Sequence, residues 1–115
     1  MISRDEESDT SGIRCNLTYT KAFPILEEMT LDHIEEYNID LEPAFRSMER
    51  PRGGSDFASF AAEDIPVLSF NAGFHPDYHQ PTDHTSKANW GKMVEVIKVG
   101  FLNLWELANM DTFLQ

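Results

Sequence analysis

Apolar and polar residues alternate in the first well-patterned stretch of the chain. Residues 13–19 carry apolar side chains at every second position and are rich in β-forming types, which predicts a strand with one buried face. Residues 65–70 are almost continuously apolar, as expected of a strand buried on both faces. A shorter strand is predicted over residues 39–45, where Pro43 favours an edge position.

Helical spacing dominates the rest of the pattern. It predicts a helix over residues 24–37, a short helix over residues 57–63 with Ser55 or Asp56 as its N-cap, and a long last helix. We expect the last helix to pack inward through Trp90, Ile97, Phe101 and Trp105. The apolar residues that follow its spacing are Trp90, Met93, Val94, Ile97, Phe101, Leu104, Trp105 and Ala108. A buried strand that leads into an amphipathic helix indicates an α/β fold.

Length, charge and composition exclude several classes of protein. The chain has 115 residues, so we expect a single domain over residues 1–115. It has no apolar run near the ~20 residues of a membrane span, and its acidic first nine residues exclude a signal peptide. The net charge of −11, without a basic cluster, excludes nucleic acid as a partner. The single Cys15 permits no internal disulfide and is interpreted as a small core residue.

Imidazole and carboxylate groups are concentrated in residues 73–84. His75, His79 and His84 lie there together with Asp83, and such groups suit a divalent cation such as zinc. The composition alone leaves two alternatives open, a metal-binding loop or ordinary loop histidines. A nucleophilic Ser55 is disfavoured, because the G-x-S-x-G motif is incomplete and the buried strand follows it instead of preceding it.

Three ordered motifs resemble one known family. They read GSDFASFAAEDIPVLSF at residues 54–70, GFHPDYHQPTD at residues 73–83 and FLNLWELA at residues 101–108. Together they are similar to the C-terminal part of the co-catalytic di-zinc exopeptidases, a superfamily of bacterial zinc aminopeptidases, glutamate carboxypeptidase, glutaminyl cyclases and the catalytically inactive transferrin receptor. Residues 1–4, MISR, also resemble the family's strand Asp-Met-(Ile/Val)-Gly-Arg, with Ser3 in place of glycine.

The resemblance implies a fold. It implies the C-terminal half of a three-layer α/β/α arrangement, with a mixed sheet of about four strands and a long C-terminal helix. Residues 1–4 would lie beside residues 67–70, followed by residues 13–19 and then by the edge strand near residues 39–45. Since the strand at residues 1–4 would be a cut sheet edge, we expect homo-oligomers to form through it.

The resemblance also implies site residues. The family holds two zinc ions with five ligands, and the last of these, a histidine that follows a tyrosine, corresponds to His79. Tyr78 matches a position beside the scissile group, and Asp56 matches the family's Ser-Asp-His/Gln motif near the metals, where it would support the ligands. Phe57 departs from that motif. The other four ligands and the glutamate base would lie upstream of Met1, so this chain has no catalytic base of its own.

Two functional hypotheses follow from the resemblance. In the first, the chain is the C-terminal segment of a zinc-dependent exopeptidase, an aminopeptidase, that hydrolyses peptide substrates by metal-activated water. By itself such a segment would be inactive and would bind zinc weakly at most. In the second, the chain is a non-catalytic interaction module derived from the same fold. A third interpretation, a free-standing metal site, requires that His75, His79 and His84 converge. Relatives are often exported, but the localisation of this chain is not predicted.

Overall fold

The structure is a computed structural model and describes residues 1–112. Three strands and three α-helices form in these residues, together with a 3-10 helix at Thr85–Lys87. In chain order they are β1 (Arg14–Thr20), α1 (Ile25–Glu36), β2 (Glu42–Met48), α2 (Phe57–Ala62), β3 (Leu68–Asn71) and α3 (Trp90–Ala108). Each strand and each α-helix overlaps the stretch in which the sequence pattern predicts it, whereas the 3-10 helix was not predicted.

The strands form one mixed sheet in the order β2-β1-β3. β1 pairs in parallel with β2 and antiparallel with β3. The crossover from β1 to β2 contains α1, as a parallel connection requires. β2 lies at an edge, where Pro43 needs no donor on its outer side. The α/β class, the mixed sheet and the long C-terminal helix are therefore confirmed.

Residues 1–4 do not form the expected fourth strand. Their contacts go to two different elements, because the Met1 carbonyl accepts from Ala72 N at 2.7 Å and the Ser3 carbonyl accepts from Asn89 N at 2.6 Å. A segment held at separate points by a loop and a helix start does not run along the β3 edge. Within residues 1–112 the sheet has three strands, and residues 1–4 are not one of them. Self-association through a sheet edge stays a prediction.

One face of the sheet carries the core. The cluster of buried residues joins β1 to the segment before β2 and to α3, with Ile34 of α1 packed against it. Its members are Cys15, Leu17, Ile39, Leu41, Val96 and Val99. Burial raises the pKa of the Cys15 thiol, in keeping with a structural cysteine. The three-layer arrangement remains a prediction for the family domain as a whole.

The inward face of α3 differs from the expected one. Trp90, Ile97, Phe101 and Trp105 are between 55% and 63% exposed, so the prediction that they pack inward is wrong. The buried side chains of α3 are Lys92, Val96, Val99 and Asn103. Two of these are polar, and each is buried with hydrogen-bond partners, which removes the cost that burial would otherwise carry.

Helices α1 and α2 end in the same way. Asn38 and Asp64 adopt φ values of 49° and 59°, and in each case the residue that follows donates its N–H back to the carbonyl five positions earlier. This is the Schellman ending, in which a left-handed residue satisfies carbonyls at the helix terminus. The ending of α1 places Ile39 over Ile34 and directs the chain into β2.

Candidate functional site

The loop between β3 and the 3-10 helix carries the candidate chemistry, and we call residues 73–84 the histidine loop. It begins at Gly73, whose φ is 97°. A Cβ at this position would lie 2.7 Å from the Cβ of Glu6, so both the backbone conformation and the close approach require glycine. The Gly73 N–H donates to the Asn71 side-chain oxygen at 2.7 Å, which fixes the turn out of β3.

Arg4 joins the middle of the histidine loop to its C-terminal part. Its guanidinium donates to Asp77 at 2.8 Å and to Asp83 at 2.6 Å. Asp77 also accepts from the Thr82 hydroxyl at 2.6 Å and from the Lys87 ammonium at 3.1 Å. The hydrogen bonds from Thr82, Arg4 and Lys87 hold the pKa of Asp77 well below its usual range. Asp77 is therefore an ionised structural anchor of the loop.

His79 lies at the exposed tip of this anchored loop. Its φ is 56°, a left-handed conformation that only a few per cent of non-glycine residues adopt. The turn is closed on both sides, since Tyr78 N donates to the His75 carbonyl at 3.0 Å and Gln80 N donates to the Asp77 carbonyl at 2.9 Å. The His79 side chain is exposed to solvent at this turn.

The ring of Tyr78 lies against that of His79. Their ring centroids are 3.9 Å apart. The tyrosine ring also meets Phe74 edge-on at 4.9 Å and His75 edge-on at 6.5 Å. Aromatic contacts of this kind are favourable, so the Tyr78 ring is held by its neighbours.

The three histidines of the loop do not converge. His75 is buried and His84 is exposed, and the His75 Nε2 lies 3.7 Å from Asp83, beyond hydrogen-bond distance. In the described part of the chain, no three His, Cys, Asp or Glu residues are grouped so that they could hold a metal ion. The interpretation as a free-standing metal loop is therefore wrong.

Asp56 lies at the N-cap of α2 and is exposed. It makes no side-chain capping bond there, and none of the hydrogen bonds in residues 1–112 joins it to the histidine loop. Its role near a metal, like the roles of Tyr78 and His79, stays a prediction.

Sequence reasoning missed the anchors of the loop. Arg4 and Asp77 lie in two of the quoted motifs, but they are 73 residues apart and nothing in the motifs pairs them. Lys87 was also missed. A local signal existed only for Asp77, which precedes Thr82 and Lys87 within one short loop, a spacing that allows a carboxylate to collect several donors.

The sequence that forms this loop and the surrounding fold matches a known protein family. The model of peptidase family M28 matches residues 6–101, most of the chain. The chain belongs to peptidase family M28. No curated protein and no solved structure gave a match. Membership confirms the resemblance to di-zinc exopeptidases and supports a zinc-dependent metallopeptidase function at the level of the family.

The residues present do not fit a complete zinc centre. A catalytic zinc needs about three protein ligands, whereas His79 belongs to no such group within residues 1–112.

Within residues 1–112, no helix has the length and apolarity to cross a membrane.

Proposed function

We propose that this chain acts as the C-terminal segment of an M28 exopeptidase of the aminopeptidase type, which hydrolyses peptide substrates and uses zinc as its cofactor. In this proposal His79 supplies one metal ligand. The remaining ligands and the general base come from residues outside this sequence.

One observation carries the proposal: the histidine loop is rigidly anchored, yet its strained residue is the exposed His79. Arg4, Thr82 and Lys87 all bind Asp77 two positions before it. The left-handed conformation of His79 costs about 1–2 kcal/mol relative to the right-handed one. Such strain is expected at a ligand-binding position.

Tyr78 and Asp56 have supporting roles in the proposal. The Tyr78 hydroxyl would lie beside the scissile group, where a donor can stabilise developing negative charge. Its ring stacks on His79, so it also limits the rotation of that imidazole. Asp56 would orient a neighbouring ligand by accepting its second ring proton.

We expect the isolated chain to be inactive. It lacks a group of three metal ligands within residues 1–112, and no residue in it matches the general base of the family. General-base assistance alone contributes about 10²–10⁴-fold to such reactions. Zinc binding by the chain should therefore be weak and uncoupled from turnover.

Hydrolysis of aminoacyl-p-nitroanilides tests the proposal. The chain alone should show no zinc-dependent turnover, while a complex with a fragment that carries the other ligands should be active. In that complex, His79→Ala should reduce activity by more than about 100-fold, and the control His84→Ala on the same loop should leave it unchanged. Turnover by the chain alone would overturn the one-ligand assignment, and an unaffected His79→Ala complex would overturn the role of His79.

A non-catalytic interaction module is the second candidate, favoured by the exposed apolar side of α3, where Phe101 and Trp105 are 60% and 63% exposed. The same experiment separates the two. A complex that binds zinc through His79 but never hydrolyses an aminoacyl or peptidyl substrate would support the module.

A further inference from the structure

Helix α3 carries a second apolar row that faces away from the core. We call this row the outer seam. It consists of Trp90, Val94, Ile97, Phe101, Leu104 and Ala108, all of them exposed. The five larger side chains are between 47% and 66% exposed. Because soluble chains rarely display such a continuous row, an unused face of this kind indicates an interaction surface.

The spacing of the outer seam is that of a helix made to pair with another helix. Successive members are separated by four, three, four, three and four residues. This alternation of four and three is the heptad spacing, which keeps a seam facing a partner helix along its length. The seam spans all 19 residues of α3, or about 28 Å at 1.5 Å per residue.

The residues of the seam are also placed symmetrically along α3, about a midpoint at position 99 of the chain. If two copies of α3 lie antiparallel across a twofold axis, Trp90 of one copy meets Ala108 of the other. In the same register Val94 meets Leu104 and Ile97 meets Phe101, so that at both ends and at the centre a larger side chain faces a smaller one. A twofold interface requires this reciprocity, in which residue i contacts j and j contacts i.

Charge permits this pairing in spite of the acidity of the chain. The chain has 20 acidic residues, yet none belongs to the seam. The two glutamates of α3 are directed elsewhere, since Glu95 accepts from Asp40 N and from Lys98 and Glu106 pairs with His33 of α1. Two copies can thus bring their seams together without opposing carboxylates.

The area of the surface is sufficient for a dimer. Its aromatic residues, Trp90, Phe101 and the flanking Trp105, are 56–63% exposed, which leaves on the order of 350 Å² at about 200 Å² per aromatic side chain. Val94, Ile97 and Leu104 extend it along the whole helix. The total approaches the roughly 800 Å² per partner of a standard interface.

We propose that the outer seam binds a second copy of this chain, in an antiparallel α3–α3 dimer. The proposal does not depend on the peptidase function. It places self-association on α3 and not on the sheet edge.

Sedimentation velocity of the whole chain tests the proposal between about 1 µM and 1 mM, where dimers of micromolar affinity dissociate. We expect a species of twice the 13.2 kDa chain mass. The double variant Ile97→Glu/Phe101→Glu should weaken association by more than about 100-fold, since it buries unpaired charges at the centre of the seam. The matched control is Phe60→Glu, which changes an aromatic residue that is 55% exposed on α2 and should leave the dimer intact.

Circular dichroism shows whether the double variant is still folded. If it is a folded monomer, the substitutions have removed the dimer contact and not the structure of the chain. A wild-type chain that stays monomeric at 1 mM would overturn the proposal. So would a seam variant that dimerises like the wild type, a result that would move association to another surface.

Cysteine cross-linking tests the antiparallel register. The native Cys15 is buried, so introduced cysteines can be oxidised selectively. In a mixture of Trp90→Cys and Ala108→Cys chains, the antiparallel dimer predicts disulfides between the two different variants. Disulfides that form only between identical variants would contradict the register.

Discussion

The His33 ring nitrogen Nδ1 lies 2.7 Å from the side-chain oxygen of Asn103, and this buried hydrogen bond joins α1 to α3. The orientation of the amide is fixed by the other side of the network. The Thr30 hydroxyl donates its proton to the Leu26 carbonyl at 2.6 Å, so it must accept from Asn103 Nδ2 at 2.9 Å. The Asn103 oxygen therefore faces the His33 Nδ1, and the Glu106 carboxylate lies 2.8 Å from Nε2.

Asn103→Leu should destabilise the chain by about 1–3 kcal/mol. The leucine keeps the volume but leaves the His33 Nδ1 buried without its partner and removes the donor to the Thr30 oxygen, and an unsatisfied buried group costs this much. Urea denaturation measures the change. Glu36→Gln, on the exposed side of α1, is the control and should lie within about 0.5 kcal/mol of the wild type. An unchanged Asn103→Leu variant would contradict the network.

Lys92→Met should lower the free energy of unfolding by more than Asn103→Leu does. The ammonium of Lys92 is fully buried and lies 2.7 Å from Asp9, with Asp5 as a second carboxylate partner. Removal of one partner from a buried ion pair costs about 3–5 kcal/mol, because the remaining charge is left uncompensated.

A double-mutant cycle checks this explanation. Lys92→Met/Asp9→Asn removes the uncompensated charge, so its loss of unfolding free energy should be smaller than the sum of the two single losses. Additive losses would show that the two groups are not coupled.

Stability should fall in acid as Asp9 becomes protonated. Burial alone would raise its pKa, but hydrogen bonds from Lys92, Ser11 and Gly12 outweigh burial and hold the pKa below the ordinary 3.8. A carboxyl whose folded pKa is lowered contributes stability above its unfolded pKa and loses it as pH falls toward the folded value. The unfolding free energy should therefore decline below about pH 4, and Asp9→Asn should make the decline shallower. Equal slopes would exclude Asp9 as the cause.

Gly73→Ala should destabilise the entry to the histidine loop by about 1–3 kcal/mol. The new Cβ would meet Glu6 at its own Cβ, which cannot swing away, and the φ of 97° disfavours any side chain. Gly54→Ala is the control, because nothing lies within 4 Å of its added Cβ. Thermal unfolding of the two variants should differ clearly, and equal melting temperatures would contradict the close approach.

His79→Gly should raise stability by up to about 1 kcal/mol, because glycine adopts the left-handed conformation without strain. His84→Gly is the matched control. His84 has a φ of −100°, so glycine at this position relieves no backbone strain. It only increases the conformational entropy of the unfolded chain, which lowers stability. A His79→Gly variant that is no more stable than His84→Gly would show that the tip of the loop is unstrained.

Local pattern predicted the elements well where one face or one spacing dominates. The alternation in residues 13–19 and the apolar run in residues 65–70 lie where β1 and β3 form, and the edge strand near Pro43 is present. The family followed from three motifs in a fixed order. Residues 1–4 were misplaced, because their binding depends on Ala72, Asn89 and the loop carboxylates, which no local pattern relates to them.

Helix α3 shows what the sequence by itself determined and what only the tertiary structure decided. Its spacing establishes a helix, but apolar residues occupy both the outer seam and the row of Val96 and Val99. A reader of the sequence assigns the aromatic row to the core because Lys92 interrupts the other row. In the folded chain Lys92 faces inward, since Asp9, 83 residues earlier, supplies the opposite charge that makes its burial possible. Helical periodicity is local, but the compensation of a buried charge requires a partner that only the complete fold brings near.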